Sequence, residues 1–177
     1  MEAYCNSVFS SVSYQLAGVV VDPGDVRLWR GITAVLLTHG HFDHIYGLNE
    51  LLRRNPQARV YTNEAGRAML SDARKNMSAY HETPFVLEYP EAVEIVADGD
   101  EIVLGDGVVA RAVFTPGHSP SCITWVVGDM LFTGDAYIPG IKVVTKLPGG
   151  DRRQAAESLE RILQLAEGRR VLPGHAP

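Results

Sequence analysis

LLTHGHFDH, Leu36 to His44, is the stretch whose reading decides the fold. Its first residues end a short apolar run, Ile32 to Thr38, of the kind that forms a strand buried on both faces. Beyond it, Ile45, Leu48, Leu51 and Leu52 recur at helical spacing until Asn55-Pro56 stops the helix. The quoted stretch is therefore a strand-to-helix junction, and it carries His39, His41, Asp43 and His44. Residues two apart share a side only in extended chain, so His39 and His41 suit a loop. Asp43 and His44, adjacent at the helix start, point different ways and can serve different metals.

Three further strand-like runs end in the same manner: VFTPGH at His118, LFTGD at Asp135 and VLPGH at His175. A strand that stops at a glycine can turn sharply, so the next side chain projects beyond the sheet edge. Four such edges can converge on one point. Imidazole and carboxylate are ligands for zinc or iron, and a catalytic zinc takes three protein ligands and keeps one open position. Seven such groups suit two metals. One such histidine alone would read as a solvated loop residue; the cluster argues against that.

The rest of the chain fits one α/β domain spanning 1–177. Two strands are expected in VFSSVSYQLAGVVVDPG, a strand over Arg59 to Thr62 and a helix from Glu64 to about Leu70 capped by Asn63. Ser71 to Pro84 is polar and irregular, a candidate flap in which Asn76, Ser78, Tyr80 and His81 stand at the entrance or serve as ordinary loop residues. Strands follow near Ala92 to Val96, Glu101 to Leu104, Val108 to Phe114, Cys122 to Val127 and Met130 to Thr133. Asp151 and Gln154 open a helix to about Glu167, and Arg170 to Leu172 forms a last strand. Trp29, Trp125 and Tyr14 read as core aromatics.

Apolar residues make up 46% and charged residues 21%, as in globular chains. The net charge of −5, without a basic run longer than a pair, disfavours nucleic acid as a partner. No apolar stretch approaches the length of a membrane span, and the N-terminus lacks the pattern of a signal peptide. A cytoplasmic location is expected. Cys5 and Cys122 are then expected to be buried or inert thiols.

THGHFDH, with TPGH, FTGD, LPGH and the early DPG turn, resembles the metallo-β-lactamase superfamily, and within it the glyoxalase II-like branch of small metallo-hydrolases. The resemblance implies an αββα sandwich, two mixed sheets flanked by helices, with the metals at one sheet edge. Carried over by residue, His39, His41 and His118 would bind one metal, Asp43, His44 and His175 a second, and Asp135 would bridge them. Asp22 would support the metal loop from behind, or serve only the geometry of its turn.

The resemblance implies two zinc ions, with one iron or a mixed zinc, iron and manganese centre as the alternative. Two such ions, about 3.5 to 4 Å apart, can hold a bridging hydroxide that attacks an acyl carbon, and Asp43 can help orient the water. Loading them together with the bridging hydroxide leaves the protein near a net charge of −2, with positive potential concentrated at the site, so the expected substrate is a small anion, most readily a thioester. Lys142 and Lys146, two of three lysines, and Tyr137 lie just after Asp135 and are candidate substrate contacts; a solvated surface role is the alternative for either lysine. Glyoxalase II proper continues past its last metal histidine into a helical region that completes the glutathione site. This sequence ends two residues after His175, so the resemblance leaves glutathione recognition open. The competing reading is a persulfide dioxygenase with one iron at His39, His118 and Asp135; a lactonase or β-lactamase ranks below both.

Overall fold

A computed structural model describes residues 1–176, so Pro177, the last residue of the expected domain, lies outside the described residues. Eleven strands form two sheets. The first runs in the order β1 (Glu2–Cys5), β2 (Val12–Leu16), β3 (Val19–Val21), β4 (Ala34–Leu36), β5 (Arg59–Thr62), β6 (Val93–Ile95). Its first three strands pair antiparallel and the remainder parallel. The second contains β11 (Arg170–Pro173), β10 (Met130–Gly134), β9 (Ile123–Val127), β8 (Val109–Phe114) and β7 (Glu101–Val103), in that order. Only its β10–β11 pair is parallel.

Alternation along the strands builds three apolar layers. Val19, Val21, Ala34 and Leu36 face the second sheet and pack with Ala110, Ile123, Trp125 and Phe132. Their neighbours Val20, Val35 and Leu37 face outward onto Ile45, Leu48, Leu51 and Leu70, which come from helices α1 (Phe42–Ile45), α2 (Leu48–Arg54) and α3 (Glu64–Leu70). On the far face of the second sheet, Val113, Val126 and Leu131 bury Ile162 of α4 (Arg152–Ala166). Both faces of β3 and β4 are thus covered, which is why they read as unbroken apolar runs. The layers make the αββα sandwich that the resemblance implied.

Several expectations are corrected in detail. The strand β1 was not foreseen. The expected single helix after His44 is divided at Tyr46-Gly47, where the Gly47 amide donates to the Pro23 carbonyl at 2.8 Å and the Asp43 carbonyl accepts from Ser11 at 2.6 Å in place of the helical bond between them. The candidate flap is anchored: Asn76 and Ser78 are fully buried, and the Asn76 amide donates to the carbonyls of Met69 and Phe85 at 3.0 and 3.1 Å. Tyr80 is exposed, and His81 packs against Phe42. Trp29, Trp125 and Tyr14 are core residues as expected. Burial pushes the Tyr14 hydroxyl up to about 12, and it donates to the Pro173 carbonyl at 2.7 Å, tying β2 to the end of β11.

Only one of the two thiols is buried. Cys122 is enclosed and its pKa is pushed up by that burial, whereas Cys5 is exposed. A thiol-specific chromogenic reagent should therefore modify one cysteine rapidly in the native protein and the second only after denaturation. Two fast equivalents would place Cys122 at the surface.

Candidate metal centre

The strands β3, β4, β8, β10 and β11 all deliver a polar side chain just past their C-terminal ends: Asp22, then His39 to His44, His118, Asp135 and His175. Three sets of three residues bring ligand-type atoms within 4.8 Å of one another, and two of them are the sets expected to hold metals: His39, His41 and His118, and Asp43, His44 and His175; the third is Asp22, His39 and His44. His41 Nδ1 stands 3.0 Å from His118 Nε2. Asp43 Oδ2 is 3.4 Å from Nε2 of both His44 and His175. Asp135 lies between the two expected sets, with Oδ2 3.6 Å from His118 Nε2 and 3.4 Å from His175 Nε2, and Oδ1 3.5 Å from His44 Nε2. All seven residues expected to meet are thus together.

The nitrogens facing away from the centre are held. His118 Nδ1 lies 2.8 Å from the Val144 carbonyl, His175 Nδ1 3.0 Å from the Phe9 carbonyl, and His44 Nδ1 3.1 Å from Asp22 Oδ2. Thr38 donates its hydroxyl to Asp22, which leaves that oxygen to accept from His39 Nδ1 at 3.2 Å. These bonds put a proton on Nδ1 of these four rings and turn each Nε2 inward, the orientation a metal-binding histidine needs. Asp22 also accepts the Thr38 amide at 2.7 Å. Its two oxygens are committed to Thr38 and His44, so it supports the site and does not face a metal, although it too lies within ligand range of His39 and His44.

Four buried polar atoms of the cluster have no hydrogen-bond partner: Nε2 of His39, His41 and His44, and Oδ1 of Asp135. Unpaired buried donors and acceptors are costly, and nitrogen and carboxylate oxygen atoms gathered at such range fit cations such as zinc or iron.

The electrostatics of the two halves differ. Burial holds His39 well below the ordinary histidine range and lowers His41 to about 4, helped by neighbouring histidines. Burial also opposes charge on His44, but the carboxylates of Asp43, Asp135 and Asp22 outweigh it and raise His44 well above its usual value. Hydrogen bonds to Asp135 and Asp43 raise His175 to about 9. For Asp43 and Asp135 burial pushes upward, yet the facing histidines win and hold both below the carboxylate range.

Two backbone carbonyls, of Phe9 and Val144, orient site histidines and were not foreseen, since a carbonyl leaves no mark in a sequence. The Ser121 hydroxyl, which accepts the Gly40 amide at 3.0 Å and so fixes the turn between His39 and His41, was also missed. Its position three residues after His118 was the available signal. Lys142 lines a small cleft of about 40 Å³ with His118 and Asp135. Lys146 is exposed and lines neither that cleft nor the groove beside it, and Tyr137 packs partly into the layer under α4.

Fold and site together define an αββα sandwich with a histidine-aspartate metal centre at one sheet edge. The profile of the metallo-beta-lactamase superfamily matches residues 26–175, and the chain belongs to that superfamily. The chain is 34% identical over 160 residues to a probable metallo-hydrolase, YqgX, of Bacillus subtilis, covering 84% of this chain and 71% of that one. It is 30% identical to a hydroxyacylglutathione hydrolase of Xylella fastidiosa, covering 96% of this chain but 59% of the relative. Among solved structures, BLEG-1, described as a B3 metallo-beta-lactamase, superposes with a TM-score of 0.89 at 27% identity, covering 99% of this chain and 91% of that one. TTHA1623, described in a di-iron-bound form, gives 0.84 at 26%, covering 100% and 93%. Among the described residues no helix is long and apolar enough to cross a membrane.

Gly174 passes so close to the centre that a Cβ there would stand 2.3 Å from Asp135 Oδ1 and 2.8 Å from His44 Cε1. Gly174→Ala should weaken metal binding roughly 10- to 100-fold while far-UV circular dichroism stays native. Unchanged metal affinity would show that Asp135 and His44 are free to move.

Protons and metal compete for Nε2. Since His44 and His175 hold protons at neutral pH, loading beside Asp43 must expel them, so affinity there should rise with pH until about 9. His41 is neutral above about 4 and burial holds His39 well below the ordinary histidine range, so proton competition from these two is absent between pH 6 and 9. Metal content after dialysis against a weak chelator should approach one ion per chain at pH 6 and two at pH 8.5. Loss of both ions together at pH 6 would contradict this.

Proposed function

We propose that this protein is a metal-dependent hydrolase of a small anionic acyl compound, a thioester as in the glyoxalase II-like branch, and that it works with two zinc ions. The observation that carries the reading is Asp135, placed within 3.4 to 3.6 Å of histidines from both sets expected to hold metals. A carboxylate shared in this way suits two cations better than one, and so favours hydrolysis over the single-iron oxygenase. The relatives named as a metallo-hydrolase and a hydroxyacylglutathione hydrolase support it, although the chain spans only 59% of the latter.

His39, His41 and His118 would hold one ion, Asp43, His44 and His175 the other, with Asp135 between them. When bound, the ions supply Lewis acidity that polarises the acyl carbonyl and makes water acidic near neutral pH. The protein's own groups then do the positioning. Asp43 stays ionised because His44 and His175 face it, which makes it a weak proton acceptor and suits it to orienting a water. Asp22, through Thr38 and His44, keeps the histidine loop in place. Lys142, beside His118 and Asp135, is the cation placed to meet the substrate's anion.

Elemental mass spectrometry on protein purified without added metal, followed by a panel of acyl thioesters, tests this. The expected outcome is about two zinc ions per chain, thioester turnover, and loss of at least 100-fold in kcat/KM for Asp135→Ala. One iron without zinc, together with oxygen uptake on a persulfide, would establish the oxygenase instead.

A further inference from the structure

Between α4 and the loop of residues 137–150 lies a groove of about 350 Å³ that the centre itself does not use. Its apolar surface comes from Ile141, Val143, Ala156 and Leu159, and its charges from Lys142 and Arg152. Neither cation is ion-paired among the described residues. Asp151, next to Arg152, is occupied in capping α4, where it accepts the amides of Arg153 and Gln154.

Both walls of the groove are fastened to the loop that carries His118. On one side the Val144 carbonyl lies 2.8 Å from His118 Nδ1. On the other, Ser158 donates to the Pro116 carbonyl at 2.6 Å, and Gly117 abuts Ala155 so closely that a Cβ there would stand 2.3 Å from its nitrogen. The segment Ile141 to Val143 lines the groove on one side and the small cleft with His118 and Asp135 on the other. A ligand in the groove therefore lies one loop's thickness from the metal centre.

We infer that this groove is a subsite for the aliphatic chain of an acyl substrate that ends in a carboxylate, with Lys142 and Arg152 meeting the charge; the inference rests on the hydrolase reading above. The apolar lining accounts for the chain, and two unpaired cations account for the sign of the head group. Each methylene buried there should strengthen binding by roughly fourfold, so a chain of several carbons separates clearly from acetate.

The test titrates octanoate, octylamine and acetate into the metal-loaded, full-length chain, following the backbone amides of Ala155, Ala156 and Leu159 by nuclear magnetic resonance. Octanoate should shift them and bind at least tenfold more tightly than octylamine or acetate. Ala156→Trp should weaken octanoate at least tenfold, and Lys142→Ala with Arg152→Ala should remove the preference over octylamine. Leu163→Ser, at an exposed position of α4 outside the groove, should leave both unchanged. In turnover, KM for an octanedioyl monothioester should rise in Ala156→Trp with kcat retained.

Equal affinity for octanoate and octylamine, or octanoate binding untouched by Ala156→Trp, would overturn the inference. Octanoate binding in the groove without hydrolysis of any acyl compound would leave the groove standing and remove the hydrolase reading. Hydrolysis with a KM indifferent to chain length would do the reverse.

Discussion

The carboxylate of Asp22 is the constraint on which the site depends. It sits at the end of β3 with a φ of 50°, a left-handed conformation that aspartate tolerates better than most residues. From there it accepts the Thr38 amide and hydroxyl at the end of β4, and Nδ1 of His44 at the start of α1. One buried side chain thereby registers two parallel strands, orients His44, and through the Thr38 hydroxyl orients His39. Ser13 donates to the Asp22 carbonyl, so β2 is joined to the same point. Replacing Asp22 with an apolar residue would leave the Thr38 amide and the His44 N–H buried without acceptors, which is costlier than losing the bonds themselves.

The second sheet meets this arrangement through glycine. At Gly134, with φ of 52°, a Cβ would stand 2.3 Å from the Thr38 hydroxyl, so the end of β10 can lie against the histidine loop only because no side chain intervenes. Asp135 is carried into the centre by that approach. The Trp125 indole donates to the Leu37 carbonyl at 2.9 Å, and the Ile123 amide donates to the Thr38 carbonyl at 2.7 Å, so hydrogen bonds also join the sheets just below the site. The core and the metal centre are consequently one construction: the packing that closes the sandwich also sets the distance between the two groups of ligands.

Much of this was legible in the sequence because the informative residues are punctuated. Each ligand follows a short apolar run, and His118, Asp135 and His175 directly follow a glycine, so strand ends and site residues coincide in the text of the chain. Arg59 to Thr62, the helix from Glu64 to Leu70 and the Asp151 cap match their sequence readings because local propensity and tertiary packing agree there. What escaped was set by contacts distant in sequence. The break at Gly47 depends on the Pro23 carbonyl, which takes the Gly47 amide, and the burial of Asn76 depends on carbonyls of Met69 and Phe85. β1 is a mostly exposed edge strand, EAYC, without the apolar alternation that marks a strand buried on one face.

The buried charges explain why such a site persists in a folded chain. Asp22 and Asp43 are buried and Asp135 is partly buried beside them, and no lysine or arginine forms an ion pair with any of them among the described residues. Carboxylates held in that way must be compensated locally, and His44 and His175 are the groups that can do it by carrying protons. Such compensation is imperfect, because a proton on Nε2 serves one or two carboxylate oxygens and leaves Asp135 Oδ1 without a partner. A divalent cation brings two charges to the same place and can be reached by several ligand atoms at once. The protonated centre is therefore folded but electrostatically unfinished, and the free energy stored in that mismatch is what metal binding releases.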